Sequence, residues 1–345
     1  MRRWLVTGGC GFIGSHFVRL LLRERPEAAV LNLDALTYAG RPENVADCAG
    51  DARYRFVRAD IAEHAAVASA FAEFQPEVVV HFAAESHVDR SILNADAFLR
   101  ANVLGTQVLL EAARRGVVGR FVQVSSDEVY GSIAAPGRAS EEAALAPNSP
   151  YAASKAAADL LARAAMQTYG LAVVITRGSN TYGPNQYPEK LIPLAITNAL
   201  AGQAIPLYGD GGQARSWLHV EDHCRGVLAA AERGTPGGIY NLGSEEETTN
   251  RALLGELLKL MGLPRELIQR VADRPGHDRR YALDSGRARR ELGWQPRWSL
   301  AEGLPQTLEW YGTHADWVAA ARAQDFDAYY RRQYGSASSA PTAGG

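Results

Sequence analysis

The feature that most constrains this chain is a glycine-rich turn between a short apolar run and a helical pattern near its start. Gly8, Gly11 and Gly14 recur at intervals of three directly after the run 4–7. Glycines let such a turn tighten and approach a bound pyrophosphate, which then faces the positive end of the helix dipole. A strand, glycine turn and helix in this order indicate a dinucleotide-binding βαβ unit, and a purely structural turn is the alternative.

Carboxylates at the ends of the next two predicted strands refine this hypothesis. Asp34 lies 20 residues after Gly14. At that position a carboxylate accepts hydrogen bonds from the adenosine ribose hydroxyls and repels a 2′-phosphate, so the sequence favours NAD over NADP. Asp60, followed by Ile61, is placed either to meet the adenine amino group or to cap the next helix.

The first half of the chain alternates short β-branched runs with longer helical patterns, which predicts a doubly wound parallel sheet of the Rossmann type. We expect strands near 4–7, 30–34, 55–58, 78–82, 121–125 and 172–177, and helices over 14–25, 61–74, 97–115, 150–169, 191–201, 221–233 and 251–261. We assign 1–180 to a dinucleotide-binding domain that carries the catalytic residues. We assign 181–330 to a smaller α/β substrate-binding lobe, from which the chain could return to the first sheet, and 335–345 to a disordered tail.

Composition excludes several classes of function. The chain has 345 residues, 47% hydrophobic and 21% charged, with a formal net charge of −2. This balance is typical of a water-soluble globular protein and favours neither a nucleic-acid nor a membrane partner. Cys10, Cys48 and Cys224 are too widely spaced for a disulfide framework or a metal cluster, and the first apolar run is too short for a signal peptide. We therefore expect a cytoplasmic protein.

Tyr151 and Lys155 are four residues apart, which places them on one face of a predicted helix. An ammonium beside a phenol favours the phenolate, so we expect the pKa of Tyr151 to be lowered and the group to act as a base. The spacing alone is common in helices that simply pack in a core. Here it follows a strand that ends at a polar segment, where open α/β sheets bind ligands.

That polar segment contains two adjacent carboxylates, Asp127 and Glu128. Side chains that leave an irregular backbone in different directions meet different surroundings, so one carboxyl could stay protonated as an acid while the other stays ionised as a base. A helix-capping pair with a solvated acid is the alternative. The neighbouring motifs favour the catalytic interpretation.

Several motifs together resemble the extended short-chain dehydrogenase/reductases, and among these the nucleotide-sugar 4,6-dehydratases. The resemblance covers about residues 3 to 311 and lies in the stretches 8–14, 81–92, 126–131, 151–155, 182–193, 208–211, 215–223 and 274–281. It implies that Tyr151 takes a proton from the C4 hydroxyl of the sugar and that Ser126 hydrogen-bonds the oxygen at C4. It also implies that Glu128 removes the C5 proton and that Asp127 protonates the departing C6 hydroxyl.

The resemblance further implies NAD as cofactor and dTDP-glucose as substrate. The implied cofactor contacts are Gly8, Gly11, Phe12, Ile13, Gly14, Asp34, Ala35, Leu36, Thr37, Asp60, Ile61, Phe82, Ala83, Ala84, Ser86, Tyr151 and Lys155. The implied substrate contacts are Ser86, Ser126, Asn180, Lys190, Leu191, Pro206, Tyr208, Arg215, Asn250, Arg274 and His277. Guanidinium forks at Arg215 and Arg274 match diphosphate oxygens. Pro206 and Tyr208 could flank the base or form an ordinary turn.

Two residues depart from the family pattern: Thr181 where a second asparagine is common near the nicotinamide, and Cys10 where a small residue is usual. A 4-epimerase, a UDP-glucuronate decarboxylase, a dehydratase of UDP-glucose and a non-catalytic NAD-sensing regulator are the alternatives. The pair Asp127 and Glu128 argues against an epimerase and a decarboxylase. The presence of this pair together with Tyr151 and Lys155 argues against a non-catalytic regulator. The resemblance also implies a homodimer through the helices at 97–115 and 150–169, whose apolar positions could equally face the sheet.

Overall fold

Seven parallel strands form the central sheet of the chain. The computed structural model describes residues 2–323 and 326–334, so the predicted tail at 335–345 lies outside the described residues. The strands are β1 Arg2–Thr7, β2 Ala28–Asp34, β3 Tyr54–Arg58, β4 Val78–His81, β5 Arg120–Ser126, β6 Val173–Gly178, β7 Asn180–Tyr182, β8 Ile205–Tyr208, β9 Ala214–His219, β10 Ile239–Leu242, β11 Glu247–Thr249 and β12 Ile268–Val271. The order in the central sheet is β3-β2-β1-β4-β5-β6-β10, and every neighbouring pair is parallel. This confirms the predicted Rossmann-type sheet.

Helices cover both faces of the large sheet. They are α1 Phe12–Glu24, α2 His64–Phe74, α3 Val88–Leu93, α4 Asp96–Phe98, α5 Thr106–Arg115, α6 Pro150–Tyr169, α7 Leu191–Leu200, α8 Val220–Arg233, α9 Asn250–Met261, α10 Gly286–Leu292, α11 Leu300–Thr313, α12 Ala315–Arg322 and α13 Phe326–Tyr334. Alternate side chains of β1 enter different cores: Val6 packs with α1, α8 and α10, and Leu5 packs with α2, α5 and α6. Burial on both faces explains why these strands are continuously apolar.

The second half of the chain contributes to two places. Strand β10 extends the large sheet beside β6. The remaining strands form two small sheets, one of order β11-β9-β7 and one that pairs β12 with β8. A separate apolar core lies between these sheets and the helices α7, α9 and α11. None of the described helices is both long and apolar enough to cross a membrane.

Helix α6 begins and ends where the sequence predicts. The Ser149 hydroxyl accepts a hydrogen bond from the Ala152 N–H at 3.1 Å, Pro150 occupies the first turn, and Gly170 closes the helix with φ +72°. A side-chain cap, an early proline and a left-handed glycine are the standard start and stop signals of a helix. Each of these signals depends on residues that are close together in the chain, so it can be recognised from the sequence.

Two other helix predictions need correction. The helix expected from residue 61 begins at His64, because the Asp60 carboxylate accepts the Ala62 N–H at 2.8 Å and holds a turn there. The single helix expected over 97–115 contains a π-helical stretch, Leu99–Gly105. Within that stretch the buried Asn102 amide exchanges two 2.9 Å hydrogen bonds with the backbone of Glu85. The wider turn thus ties this helix to the loop after β4.

Candidate active site

The glycine turn between β1 and α1 leaves no room for larger residues. Gly8 has φ +71°, and a Cβ there would lie 2.6 Å from the Ala83 nitrogen. A Cβ on Gly14 would collide with the Gly8 carbonyl. Close packing of backbone on backbone therefore requires glycine at both positions. The first turn of α1, which contains Phe12, Ile13 and Gly14, lines an open cleft.

Asp34 holds this turn in place. The residue is 7% exposed, and its carboxylate accepts the Cys10 N–H at 2.9 Å and the Leu36 N–H at 2.8 Å. Burial raises the pKa of Asp34, and these two hydrogen bonds oppose the rise. Each oxygen accepts one N–H and keeps a second lone pair for a hydroxyl donor. The side chain therefore fits a ribose as well as the turn.

These groups line one continuous cleft, here called the glycine-turn cleft, at the carboxyl edge of the large sheet. It brings together Gly8, Gly11, Phe12, Ile13, Gly14, Asp34, Ala35, Thr37, Asp60, Ile61, Phe82, Ala83, Ala84, Ser86, Tyr151 and Lys155. Leu36 is the one predicted cofactor contact that does not line it, because its side chain packs against the core beneath. Asp60 also pairs with Arg100 at 2.9 Å, so part of its carboxylate is already engaged.

Tyr151 and Lys155 lie one turn apart on α6, and both are buried. The Lys155 ammonium donates to the Val124 carbonyl at 2.7 Å, which anchors it at the end of β5. Burial lowers the pKa of Lys155 to about 8, while the Asp159 carboxylate one turn further along α6 opposes this shift. Lys155 keeps two N–H donors for other partners.

The prediction that the pKa of Tyr151 is lowered is wrong for the protein without bound cofactor. Burial raises the pKa of Tyr151 well above its ordinary value, and the carboxylates of Glu128 and Asp127 add to the rise, against a hydrogen bond from Ser126. The sequence argument considered only the ammonium of Lys155. It could not account for the loss of water around the phenol or for the two nearby carboxylates.

Asp127 and Glu128 occupy a short 3-10 turn, Asp127–Tyr130, directly after β5. Ser126 caps this turn, and its hydroxyl accepts the Glu128 N–H at 3.2 Å and contacts Asp127 Oδ1 at 3.3 Å. Asp127 is only 3% exposed. It is therefore not the solvated, helix-capping acid of the alternative interpretation.

The surroundings of Asp127 favour its protonated form. Burial raises the pKa of Asp127 to about 8, and the neighbouring Glu128 adds to the rise, whereas Arg215 and the Ser126 hydroxyl oppose it. Its second oxygen, Oδ2, has no hydrogen-bond partner among the described residues. A buried carboxyl with a free oxygen and a raised pKa can donate a proton near neutral pH.

A second cleft, here called the arginine cleft, adjoins the first, and Gln186, Glu189 and Lys190 line both. Glu128 enters this cleft, and Tyr281 lies 3.4 Å from its carboxylate. Of the predicted substrate contacts, the arginine cleft brings together Asn180, Lys190, Leu191, Pro206, Tyr208, Arg215, Asn250, Arg274 and His277. Ser86 lines only the glycine-turn cleft, and neither Ser126 nor Asp127 forms part of either lining.

Of the two predicted anion-binding arginines, Arg215 is buried and Arg274 is half-buried. Arg215 donates to the carbonyls of Ala214 and Asp278, both at 2.8 Å, and lies over the Tyr281 ring at 4.2 Å. Arg274 forms a 2.8 Å ion pair with Asp89, and its Nε has no described partner. Both guanidinium groups are thus fixed by protein contacts and retain donors toward the cleft.

Pro206 and Tyr208 lie two residues apart on β8 and therefore share a face, so the alternative of an ordinary turn is wrong. The Tyr208 hydroxyl donates to Asp89 at 2.7 Å, and its ring contacts that of His277 edge to face. A proline and an immobilised aromatic ring on one face form an apolar wall for a planar group.

Sequence reasoning missed several residues that line these clefts, among them Asp89, His223, Tyr281 and Tyr334. Asp89 connects Tyr208 and Arg274, which lie more than a hundred residues away along the chain. Tyr334 comes from the last described helix, α13. No spacing rule links such distant positions, although Asp89, His223 and Tyr281 lie within motif stretches already singled out.

Comparison with known proteins identifies the family. A family model described as GDP-mannose 4,6 dehydratase matches residues 5–307. The dTDP-glucose 4,6-dehydratase of Streptomyces antibioticus is 54% identical over 318 residues, which cover 91% of this chain and 93% of that protein. This chain belongs to the dTDP-glucose 4,6-dehydratase family. Among its other relatives, the enzyme of the same description from Streptomyces niveus is 50% identical over 94% of this chain and 96% of its own length.

A solved structure of this family has the same fold. The dTDP-glucose 4,6-dehydratase from Streptomyces venezuelae, crystallised with NAD and the ligand TYD bound, superposes with a TM-score of 0.90 at 52% identity. The match covers 92% of this chain and 99% of that one. The predicted resemblance to nucleotide-sugar dehydratases is therefore confirmed.

Proposed function

We propose that this chain catalyses the NAD-dependent dehydration of dTDP-glucose to dTDP-4-keto-6-deoxyglucose for deoxysugar biosynthesis. The reaction consists of oxidation at C4, elimination of water across C5 and C6, and reduction at C6. One observation carries the proposal beyond family membership. A buried Asp127 with its pKa raised to about 8 lies beside Glu128, which lines the arginine cleft, while Tyr151 and Lys155 line the adjoining glycine-turn cleft.

The glycine-turn cleft fits NAD. Gly8 and Gly14 leave the backbone of the turn accessible to a pyrophosphate, and Asp34 retains acceptor capacity for a ribose. When bound, NAD supplies a two-electron acceptor that takes up a hydride and gives it back. The remaining chemistry is proton transfer, which falls to the side chains around the sugar.

Tyr151 is proposed as the base that takes the proton of the C4 hydroxyl. In the chain alone its pKa is raised by burial, so the phenolate needs positive charge nearby. Lys155 can supply part of that charge, because its ammonium is held at the Val124 carbonyl and keeps two free donors. An oxidised nicotinamide ring adds a second positive charge, and opposite charge lowers the pKa of a phenol.

Glu128 and Asp127 are proposed as the base and the acid of the elimination step. Oxidation at C4 acidifies the proton at C5, and the carboxylate of Glu128, which lines the arginine cleft, would take that proton. Asp127, held protonated by burial, would give its proton to the departing C6 hydroxyl. Ser126 would hydrogen-bond the oxygen at C4.

The predicted substrate contacts keep the sugar in place while these protons move. We propose that Arg215 and Arg274 hold the diphosphate and that Pro206 and Tyr208 hold the base. The fixed guanidinium groups and the shared face on β8 support this assignment. A 4-epimerase is the second candidate, but it has no use for a protonated acid beside a second carboxylate.

The assembly and location are proposed on separate grounds. Leu99, Leu104 and Leu160 lie on the π-helical stretch and on α6 and are 53%, 41% and 54% exposed. Such apolar side chains support a homodimer through this face. Light scattering should show a dimer for the wild type and a monomer for Leu160→Glu. The three cysteines are free and buried, which supports a reducing, cytoplasmic location.

The proposed function is tested by incubating the purified protein with dTDP-glucose or UDP-glucose without added NAD. The 4-keto product absorbs strongly in alkali. Formation of this product from dTDP-glucose, with no net consumption of NAD, supports the proposal. A stoichiometric reduction of NAD would contradict it and favour a simple dehydrogenase reaction, and a product that differs only in configuration at C4 would contradict it and favour an epimerase reaction.

A further inference from the structure

His223 is a buried histidine on the wall of the glycine-turn cleft that the mechanism above does not use. It lies in the first turn of α8 and is 2% exposed. Its ring packs against Gly178 at the end of β6, where an added Cβ would lie 2.5 to 3.2 Å from three ring atoms. The ring is therefore fixed against the backbone at the carboxyl edge of the sheet.

The hydrogen bonds of Thr181 determine which ring nitrogen of His223 carries the proton. The Thr181 hydroxyl donates to the Ser179 carbonyl at 3.0 Å, because a carbonyl can only accept. A hydroxyl has one proton, and we assign it to this bond, so that Nδ1–H is the donor in the 2.8 Å contact between His223 and Thr181. His223 is thus held in the Nδ1–H form.

The other nitrogen, Nε2, is left as a hydrogen-bond acceptor. It is buried and has no partner among the described residues. Burial lowers the pKa of His223 to about 4, so the ring is neutral and Nε2 carries a lone pair near neutral pH. A buried polar atom without a partner costs free energy, so a hydrogen-bond donor that met Nε2 when a ligand binds would be stabilising.

The position of His223 indicates which part of the cofactor would meet this acceptor. The adenosine half of NAD belongs at Asp34, and the reacting ring must lie beside Tyr151 and Lys155. Lys155 is anchored at Val124 on β5, and His223 rests on the end of the adjacent strand, β6. The end of the cofactor next to His223 is therefore the nicotinamide, whose carboxamide carries an N–H₂ donor.

We propose that His223 is a further cofactor-binding residue whose Nε2 accepts a hydrogen bond from the amino group of the nicotinamide carboxamide, with Thr181 as the positioning residue that fixes its tautomer. The inference rests on the proposed NAD site. It gives a role to Thr181, where the family pattern often has asparagine: its hydroxyl orients the ring instead of contacting the cofactor itself. Holding the carboxamide fixes which face of the nicotinamide is turned to the sugar.

The test is the affinity of the protein for NAD and two analogues, measured by quenching of tryptophan fluorescence. The thionicotinamide analogue keeps the amino group, whereas the acetylpyridine analogue keeps the carbonyl and replaces the amino group with methyl. We expect the wild type to bind NAD and the thio analogue alike and the acetylpyridine analogue about tenfold more weakly, since the acceptor is then left unpaired. His223→Phe should bind all three with the same weaker affinity.

The variants at residue 181 test the tautomer separately. Thr181→Ser keeps the hydroxyl and should keep the preference for the amino group. Thr181→Val removes the acceptor of Nδ1–H, so the ring can take either tautomer and the preference should shrink. His16→Phe is the matched control, because His16 is a half-buried neutral ring that is hydrogen-bonded to the Pro184 carbonyl at 2.9 Å outside this cleft.

Equal binding of NAD and the acetylpyridine analogue by the wild type would overturn the inference, as would an unchanged preference in His223→Phe. Thermal unfolding of each variant shows whether it is folded, and the pair at residue 181 decides the question if His223→Phe is not. The readout needs no turnover. If the protein dehydrates dTDP-glucose but binds NAD and the acetylpyridine analogue equally well, only the role of His223 is refuted. If it prefers NAD but does not dehydrate the sugar, only the proposed function is refuted.

Discussion

Asp127 and Glu128 are adjacent in the chain, yet only Glu128 reaches the arginine cleft, while Asp127 is 3% exposed behind it. The charge of Glu128 is one cause of the raised pKa of Asp127, after burial. The same turn thus supplies a carboxylate that can accept a proton and a neutral carboxyl that can donate one. Elimination of water needs both at once.

The raised pKa of Asp127 predicts how the elimination step depends on pH. The acid must be protonated, and it is protonated below its pKa, so the rate of elimination should fall as the pH rises through about 8. Single-turnover product formation at several pH values would measure this. Asp127→Asn should be slower by roughly a hundredfold or more, and its rate should not fall as the pH rises through this range. The same fall in rate in Asp127→Asn would show that another group causes it.

The pKa of Lys155 is also lowered to about 8, so its titration and that of Asp127 fall in the same pH range. The two groups are distinguished by measuring the oxidation and elimination steps separately. Formation of bound NADH reports C4 oxidation, which involves Tyr151 and Lys155. Release of the 4-keto product also requires the elimination step. A fall in rate at high pH that is caused by Asp127 should therefore appear in the rate of product formation and be absent from the rate of NADH formation.

Asp127 should also make the free energy of unfolding depend on pH. Its folded pKa lies above the unfolded value, so the stability that its protonated form provides is present at low pH and is lost as the pH rises from about 4 to about 8. Asp127→Asn stays neutral and should lose less stability over that range. Thermal unfolding at pH 6 and pH 9 would compare the two proteins. A parallel decline in both would show that Asp127 is not the buried acid described here.

Tyr151→Phe tests the base of the oxidation step. The variant keeps the ring that packs against Val88 and Phe98 and loses only the hydroxyl. C4 oxidation should slow by roughly a hundredfold or more, which is typical for the loss of a general base, with little change in the unfolding temperature. Stopped-flow absorbance of NADH is the measurement. Oxidation at the wild-type rate would exclude the phenol from this role.

Features of the fold that depend on residues close together in the chain could be predicted from the sequence, whereas features that depend on contacts between distant residues could not. Helix α6 is defined by Ser149, Pro150 and Gly170, which act within a few residues, and its bounds were predicted correctly. The π-helical stretch at Leu99–Gly105 was missed, since it depends on Asn102 meeting Glu85 from another element. The raised pKa of Tyr151 was missed because burial is not visible in a spacing of four residues.

The site shows the same division. The glycine turn and Asp34 follow one another within a single βαβ unit, and all but Leu36 of the predicted cofactor contacts line one cleft. His223 reaches that cleft only because α8 packs beside α1 and its ring fits over Gly178 on β6. Contacts of this kind, made between distant parts of the chain, need the folded structure to be found.

The most direct test of the account is the fate of Glu128→Gln mixed with dTDP-glucose. The amide cannot take the C5 proton, but Tyr151 and Lys155 are unchanged, so C4 oxidation should proceed and elimination should stop. We predict that NADH absorbance rises on the enzyme and persists, and that the 4-keto-6-deoxy product does not form. Normal turnover of this variant, with no lasting NADH signal, would contradict the assignment of Glu128 as the base and with it the proposed division of roles in the acid–base pair.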